Sequence, residues 1–124
     1  MSKVLLSEIL ARFILTKKYI RQDKTVRWNA FMPHKGETSV FRVSGISDIE
    51  IWHIGEKYVV SSQNKPLFGR ADITASIIMD NGLDVIPQEP PVKHANIIGW
   101  PEDKSKQMEM AMQLALKAQF HKKD

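Results

Sequence analysis

Residues 94–101 concentrate chemistry-bearing side chains. His94 and Asn96 are followed by Ile97 and Ile98, a break at Gly99, the indole of Trp100, and Pro101. An imidazole titrates close to neutral pH and can give or take a proton. An amide beside it can orient or bind. Ile97 and Ile98 suit a core, Gly99 a break, and Pro101 the first turn of a helix, where its missing N–H costs nothing. His94 and Asn96 are therefore the pair that structure alone does not explain.

Three further side chains complete a candidate catalytic set. His53 follows Trp52 and is a second candidate proton carrier. Arg42 lies inside an apolar stretch, where a guanidinium needs an acidic or phosphate partner. Arg70 stands two residues before Asp72, so the two share a face of any strand that contains them. Histidine with two arginines, and no cysteine anywhere, is a minimal kit for metal-free phosphoester chemistry. In it the imidazole moves a proton and the guanidinium groups stabilise phosphoryl oxygens. The structural alternatives are hydrogen-bonded core histidines and Arg–Asp pairs that orient a sheet.

Several chemistries are not supported. Without Cys there is no thiol catalysis, zinc–thiolate site or disulfide. His34, His53, His94 and His121 have no metal-ligand spacing, and no Gly-rich phosphate loop or GxSxG motif occurs. Ser39 beside Val40 has no nucleophile motif around it. No metal or other cofactor is expected.

Charge is unevenly distributed. Residues 1–35 carry eight Lys/Arg against Glu8 and Asp23, a local charge of +6, and residues 104–124 carry a local +3. Residues 36–103 carry five against ten acids, a local −5, within a chain of net charge +4. In the first segment Lys17, Lys18, Arg21, Lys24 and Arg27 are interleaved with Tyr19 and Trp28. Basic residues with aromatics suit a single-stranded nucleic acid, which is held by a cationic groove and base stacking. The alternatives are lysines that only solvate a loop, and aromatics that only anchor it.

These residues need elements to hold them. Leu5, Leu6, Ile9, Leu10, Phe13 and Ile14 recur at helical spacing, which predicts an amphipathic helix over residues 3–15 with Glu8 and Arg12 on its wetter side. Residues 16–36 read as a loop with a short strand near 25–30, and residues 38–43 as a strand. Ser47 and Glu50 have capping-box spacing, favouring a helix from Asp48 to about Lys57 over a hairpin around Gly55 and Glu56. Residues 72–79 alternate, and Asn81-Gly82 predicts a hairpin to a partner strand at 83–87. Residues 93–98 suggest another strand.

A helix of about 20 residues follows Pro101, with His121 at its C-terminal, dipole-favoured end. Met108, Ala111, Met112, Ala115 and Ala118 would form its core stripe, with Met110 off it. The order predicts a single α+β domain spanning residues 1–124: a small antiparallel sheet with an N-terminal amphipathic helix and a long C-terminal helix packed on it. The start has no cleavage-site pattern and no apolar run approaches the ~20 residues of a membrane span, so a cytoplasmic protein without membrane association is expected.

Three functions compete on these residues. The first is a small module binding a polyanion, nucleic acid above all. The second is a metal-independent, toxin-like phosphoester or nucleotide-acting enzyme built on His94 with Arg42, Arg70 and His53. The third is an immunity, antitoxin or assembly subunit that docks a protein partner.

Overall fold

A computed structural model describes residues 2–124; the Met1 start of the leader reading lies outside them. Six strands form one open sheet: β1 (Ile9–Ile14), β2 (Thr38–Arg42), β3 (Gly69–Thr74), β4 (Asp84–Pro87), β5 (His94–Ile98) and β6 (Gln119–Lys122). Their spatial order is β4-β5-β2-β1-β3-β6, and every neighbouring pair is antiparallel. The α+β class and the antiparallel sheet agree with the sequence, as does the helical reading of the segment after Ser47. Among the described residues no helix is long and apolar enough to cross a membrane.

The predicted N-terminal helix is instead the central strand β1. Leu10 and Ile14 join the core on one face of the sheet, and Ala11 and Phe13 join the core on the other. A strand buried on both faces is apolar at nearly every position, and such a run imitates a helical stripe. Leu5 and Leu6, counted in that stripe, are exposed in the turn before the strand.

Each face has its own cover. Helix α1 (Asp48–Ile54) is capped by the Ser47 hydroxyl, which accepts from the Glu50 N–H. It runs through a π-helical stretch, Gly55–Val60, into the short α2 (Ser61–Gln63). Ile51, Trp52, Tyr58 and Val59 cover Ala11, Phe13 and Phe41. Gly55 permits this approach, since a Cβ there would lie 2.7 Å from the Phe13 ring. The opposite face packs on α3 (Ala75–Asp80), α4 (Lys104–Lys117) and the 3-10 turn Trp28–Phe31.

Two more expectations change. The strand predicted over 72–79 ends at Thr74, and α3 follows. Asn81-Gly82 closes that helix rather than a hairpin. Gly82 takes φ +84°, its N–H bonds the Met79 carbonyl, and the Leu83 N–H reaches the Ile78 carbonyl, a Schellman end. The segment 83–87 does form a strand, β4, but its partner is β5.

The last helix starts at Asp103, whose carboxylate accepts from the Ser105 N–H, and stops at Lys117. His121 is therefore not at a helix end but in β6, opposite Arg70. The buried stripe of α4 is Ala111, Leu114 and Ala115. Met112 is exposed, whereas Met110 packs against the core. The strand expected near 25–30 reduces to an Ile20–Val26 bridge and the 3-10 turn.

Candidate functional site

His94 begins β5 directly opposite Phe41 on β2, and Asn96 lies opposite Ser39. All four side chains share the sheet face covered by α1. The loop 88–93 folds back on itself, with the Gln88 N–H on the His94 carbonyl at 2.9 Å. That return sets the Gln88 carbonyl oxygen 2.8 Å from His94 Nδ1. A carbonyl only accepts, so Nδ1 carries the proton and a neutral imidazole leaves Nε2 as the acceptor. Ser39 Oγ lies 2.7 Å from Nε2, and its hydroxyl donates to it. The Phe41 ring meets the imidazole edge-on at 5.3 Å, and the Tyr58 ring stacks on Phe41. The Asn96 side chain, 3% exposed, donates to the Gln88 side-chain oxygen. Ser39 itself is exposed.

A separate crevice lies along β1, and neither Ser39 nor His94 lines it. Strands β1 and β2 pair only at Leu10–Arg42 and Ala11–Phe41, then part. The half-buried Arg12 fills the gap. Its Nε donates to the Ala30 carbonyl at 2.8 Å and its Nη1 to the Ser39 carbonyl at 2.9 Å. Among the described residues no carboxylate is bonded to it. Burial pushes this guanidinium below its ordinary range, against a smaller opposing effect of Tyr19. It stays protonated nonetheless. Thr16, Tyr19, Val59, Gln63 and Lys65 line the rest of a crevice of about 230 Å³, and no acid lines it.

The four residues singled out for catalysis do not converge. Arg42 follows Phe41 and so projects to the face opposite His94. Its Nε and Nη2 grip the two Glu8 oxygens at 2.8 Å each, and Nη1 bonds the Ser2 carbonyl. The hydrogen bond from Arg42 holds the Glu8 carboxyl below its usual range. Arg70 shares the face of His94 but lies three strand spacings away, about 14 Å in a sheet of this kind. His53 is exposed on α1, in a separate cleft with Asp48, Trp52, Glu56 and Lys123.

Arg70 is the centre of a different cluster. Only 3% exposed, it bonds Asp72 through Nε at 3.1 and 3.2 Å and Asp48 through Nη2 at 2.8 Å. The Trp52 ring lies over the guanidinium at 4.5 Å. Its Nη1 is buried and has no hydrogen-bond partner among the described residues. Burial raises the Asp72 carboxyl despite Arg70, whereas the Arg70 hydrogen bond lowers that of the exposed Asp48. His121 Nε2 stands 3.4 Å from Asp72.

In the basic segment Lys17, Lys18, Arg21, Lys24 and Arg27 are all exposed. Arg21 bonds the Thr25 hydroxyl and the Val26 carbonyl. Trp28 packs against the core, so it anchors the loop. Lys17 and Lys18 sit in a 3-10 turn capped by Thr16, whose side chain accepts from the Lys18 N–H. Thr16 also lines the Arg12 crevice, so the basic surface and the crevice adjoin.

Sequence reasoning passed over Gln88, set Ser39 aside and gave Arg12 to the wetter side of a helix, whereas it named the Arg70–Asp72 pair as the structural alternative. Asp72 had a signal in its spacing from Arg70. Ser39 and Gln88 had none, because only strand pairing joins them to His94. Among the described residues no group of three or more His, Asp or Glu could hold a metal ion. Comparison with protein-family models, curated proteins and solved structures returned no match to this chain.

Proposed function

We propose that this chain binds a polyanion, with nucleic acid as the ligand class, through the Arg12 crevice and the adjoining basic surface of Lys17, Lys18, Arg21, Lys24 and Arg27. One observation carries the reading. The Arg12 guanidinium is held in a crevice by two carbonyls, with no carboxylate bonded to it and no acid in the lining. A charge withdrawn from water is normally compensated by an opposite one. Here the compensating group is left for a ligand, and a phosphate suits a guanidinium fork. Lys65 in the lining and the exposed cations of the adjoining turn extend the same field to further phosphates along a strand.

Fluorescence anisotropy with a labelled single-stranded RNA and a labelled DNA duplex tests this. Affinity should fall steeply between about 50 and 200 mM salt. For single strands the log–log slope should lose about 0.7 for each phosphate contact removed, as in Lys17→Ala and Lys18→Ala. Absence of binding to either probe at low salt overturns the proposal, and so does a slope unchanged in the Lys17→Ala/Lys18→Ala double variant.

A further inference from the structure

We propose that Ser39 is a nucleophile activated by His94, and that the pair cleaves a phosphodiester of a bound polyanion. The substrate class rests on the polyanion reading; the reactivity of Ser39 does not. Three features argue for chemistry over mere architecture. Ser39 is exposed, so its hydroxyl can bond water freely and folding gains little from fixing it on an imidazole. The Gln88 carbonyl at 2.8 Å fixes the tautomer in which Nε2 is the base, as a general base for a serine requires. The ring is also immobilised. The Phe41 edge contact holds it from the sheet, and the buried Asn96 holds the Gln88 side chain of the loop that supplies the carbonyl. A serine and an imidazole 2.7 Å apart, with the imidazole oriented through its other nitrogen, reproduce the nucleophile–base–orienter chain of covalent catalysis.

The reaction is balanced by this pair alone. Ser39 Oγ forms a bond to phosphorus as its proton passes to His94 Nε2. The bond from phosphorus to the leaving alcohol oxygen breaks, and that oxygen takes the proton from Nε2. Water then attacks the Ser39 phosphodiester and gives its proton to Nε2, and the departing Ser39 oxygen recovers it. The products are an alcohol and a phosphomonoester. Arg12 does not reach the hydroxyl, which projects from the sheet face. Its side chain projects to the opposite face of the sheet and bonds the carbonyl of the same residue.

A neutral fluorophosphonate probe, followed by peptide mass spectrometry, reads the reactivity without needing polyanion affinity. The adduct should form on Ser39 faster than on the exposed Ser2, Ser7, Ser44, Ser61 and Ser62 of the same molecule. In the unaltered chain this labelling should depend on the imidazole, and His94→Ala should slow it by about 10²-fold or more. The chromogenic diester bis(p-nitrophenyl) phosphate should be hydrolysed by the chain and not by Ser39→Ala. Ser39 labelling no faster than at the other serines, or unchanged in His94→Ala, overturns the nucleophile. Labelling without hydrolysis of the diester overturns the phosphodiester assignment. Neither result touches the binding measurement, so a chain that binds RNA with an inert Ser39 loses this proposal alone.

Discussion

Arg12 and Arg70 sit on neighbouring strands at offset positions, Arg12 beside Ala71 and Phe13 beside Arg70, and they project to opposite faces. Both guanidinium groups are withdrawn from solvent, yet their surroundings differ in kind. Arg70 is bonded to two carboxylates and roofed by an indole. Arg12 meets only carbonyl oxygens. The first arrangement is electrically closed, and its charge is spent on joining β3, α1 and, through Asp72 and His121, β6. The second is electrically open. Burial does not separate the two; the absence of a counter-charge inside the molecule does, and the polyanion proposal rests on that difference. Arg42, clamped by Glu8, belongs with Arg70 on this criterion.

Replacement by an apolar side chain of similar length should separate the two most sharply. Arg70→Met strands Asp72 in a desolvated site and should cost about 3–5 kcal/mol in urea unfolding, the range for breaking one side of a buried pair. Any molecules that still fold should bind polyanions normally. Arg12→Met leaves two carbonyls short of a donor and should cost about 1–3 kcal/mol. It should also weaken polyanion affinity by about tenfold, since a hydrogen bond to a charged group is worth roughly that much. If Arg12→Met binds as the parent does while Arg70→Met does not, the contrast is inverted and the crevice is structural.

The sequence singled out His94 and Asn96 but not their partners. The strand over 38–43, the capped helix after Ser47 and the strand at 93–98 were legible because each rests on local periodicity or a local cap. Strand β1 was not, because burial on both faces erases the alternation that distinguishes strand from helix. That one misreading hid Arg12, which on an amphipathic helix would face water and on β1 enters the gap beside β2. Arg42 and Arg70 were attractive from sequence because a guanidinium in an apolar stretch demands a partner. The sequence does not say that Glu8, 34 residues away, and Asp48, 22 residues away, are those partners. Nor does it say that a short strand, β6, brings His121 to Asp72.

Acid titration tests whether the closed clusters behave alike. Glu8 has a folded pKa below its unfolded value, so the stability it contributes is full above the unfolded value, about 4.3, and lost as pH falls through the folded one. Asp72 has a folded pKa above its unfolded value of about 3.9, so its ionisation subtracts stability as pH rises through the folded one. Stability curves across the acid range should therefore rise less with pH in Glu8→Gln, and more in Asp72→Asn, than in the parent. At neutral pH Glu8→Gln should cost about 1.5–3 kcal/mol, the range for hydrogen bonds to charged groups, and the deficit should vanish in acid. The same slope change in both variants would show that Asp72 is as well compensated as Glu8.

The smallest expected effect decides what closes the Arg70 cluster. The His121 imidazole is the second nitrogen-bearing side chain near Asp72, but at 3.4 Å and 37% exposed its contact is a surface one. Such pairs contribute about 0.2–1 kcal/mol. His121→Asn should therefore destabilise by less than about 1 kcal/mol in urea unfolding if Arg70 alone compensates Asp72. A loss approaching that of Arg70→Met would mean that β6 supplies part of the compensation of Asp72 and that Arg70, whose Nη1 has no partner among the described residues, is less closed than its two carboxylates suggest. The contrast with Arg12 would then be one of degree, and the orphaned Nη1 donor would become a second place for an anion to bind.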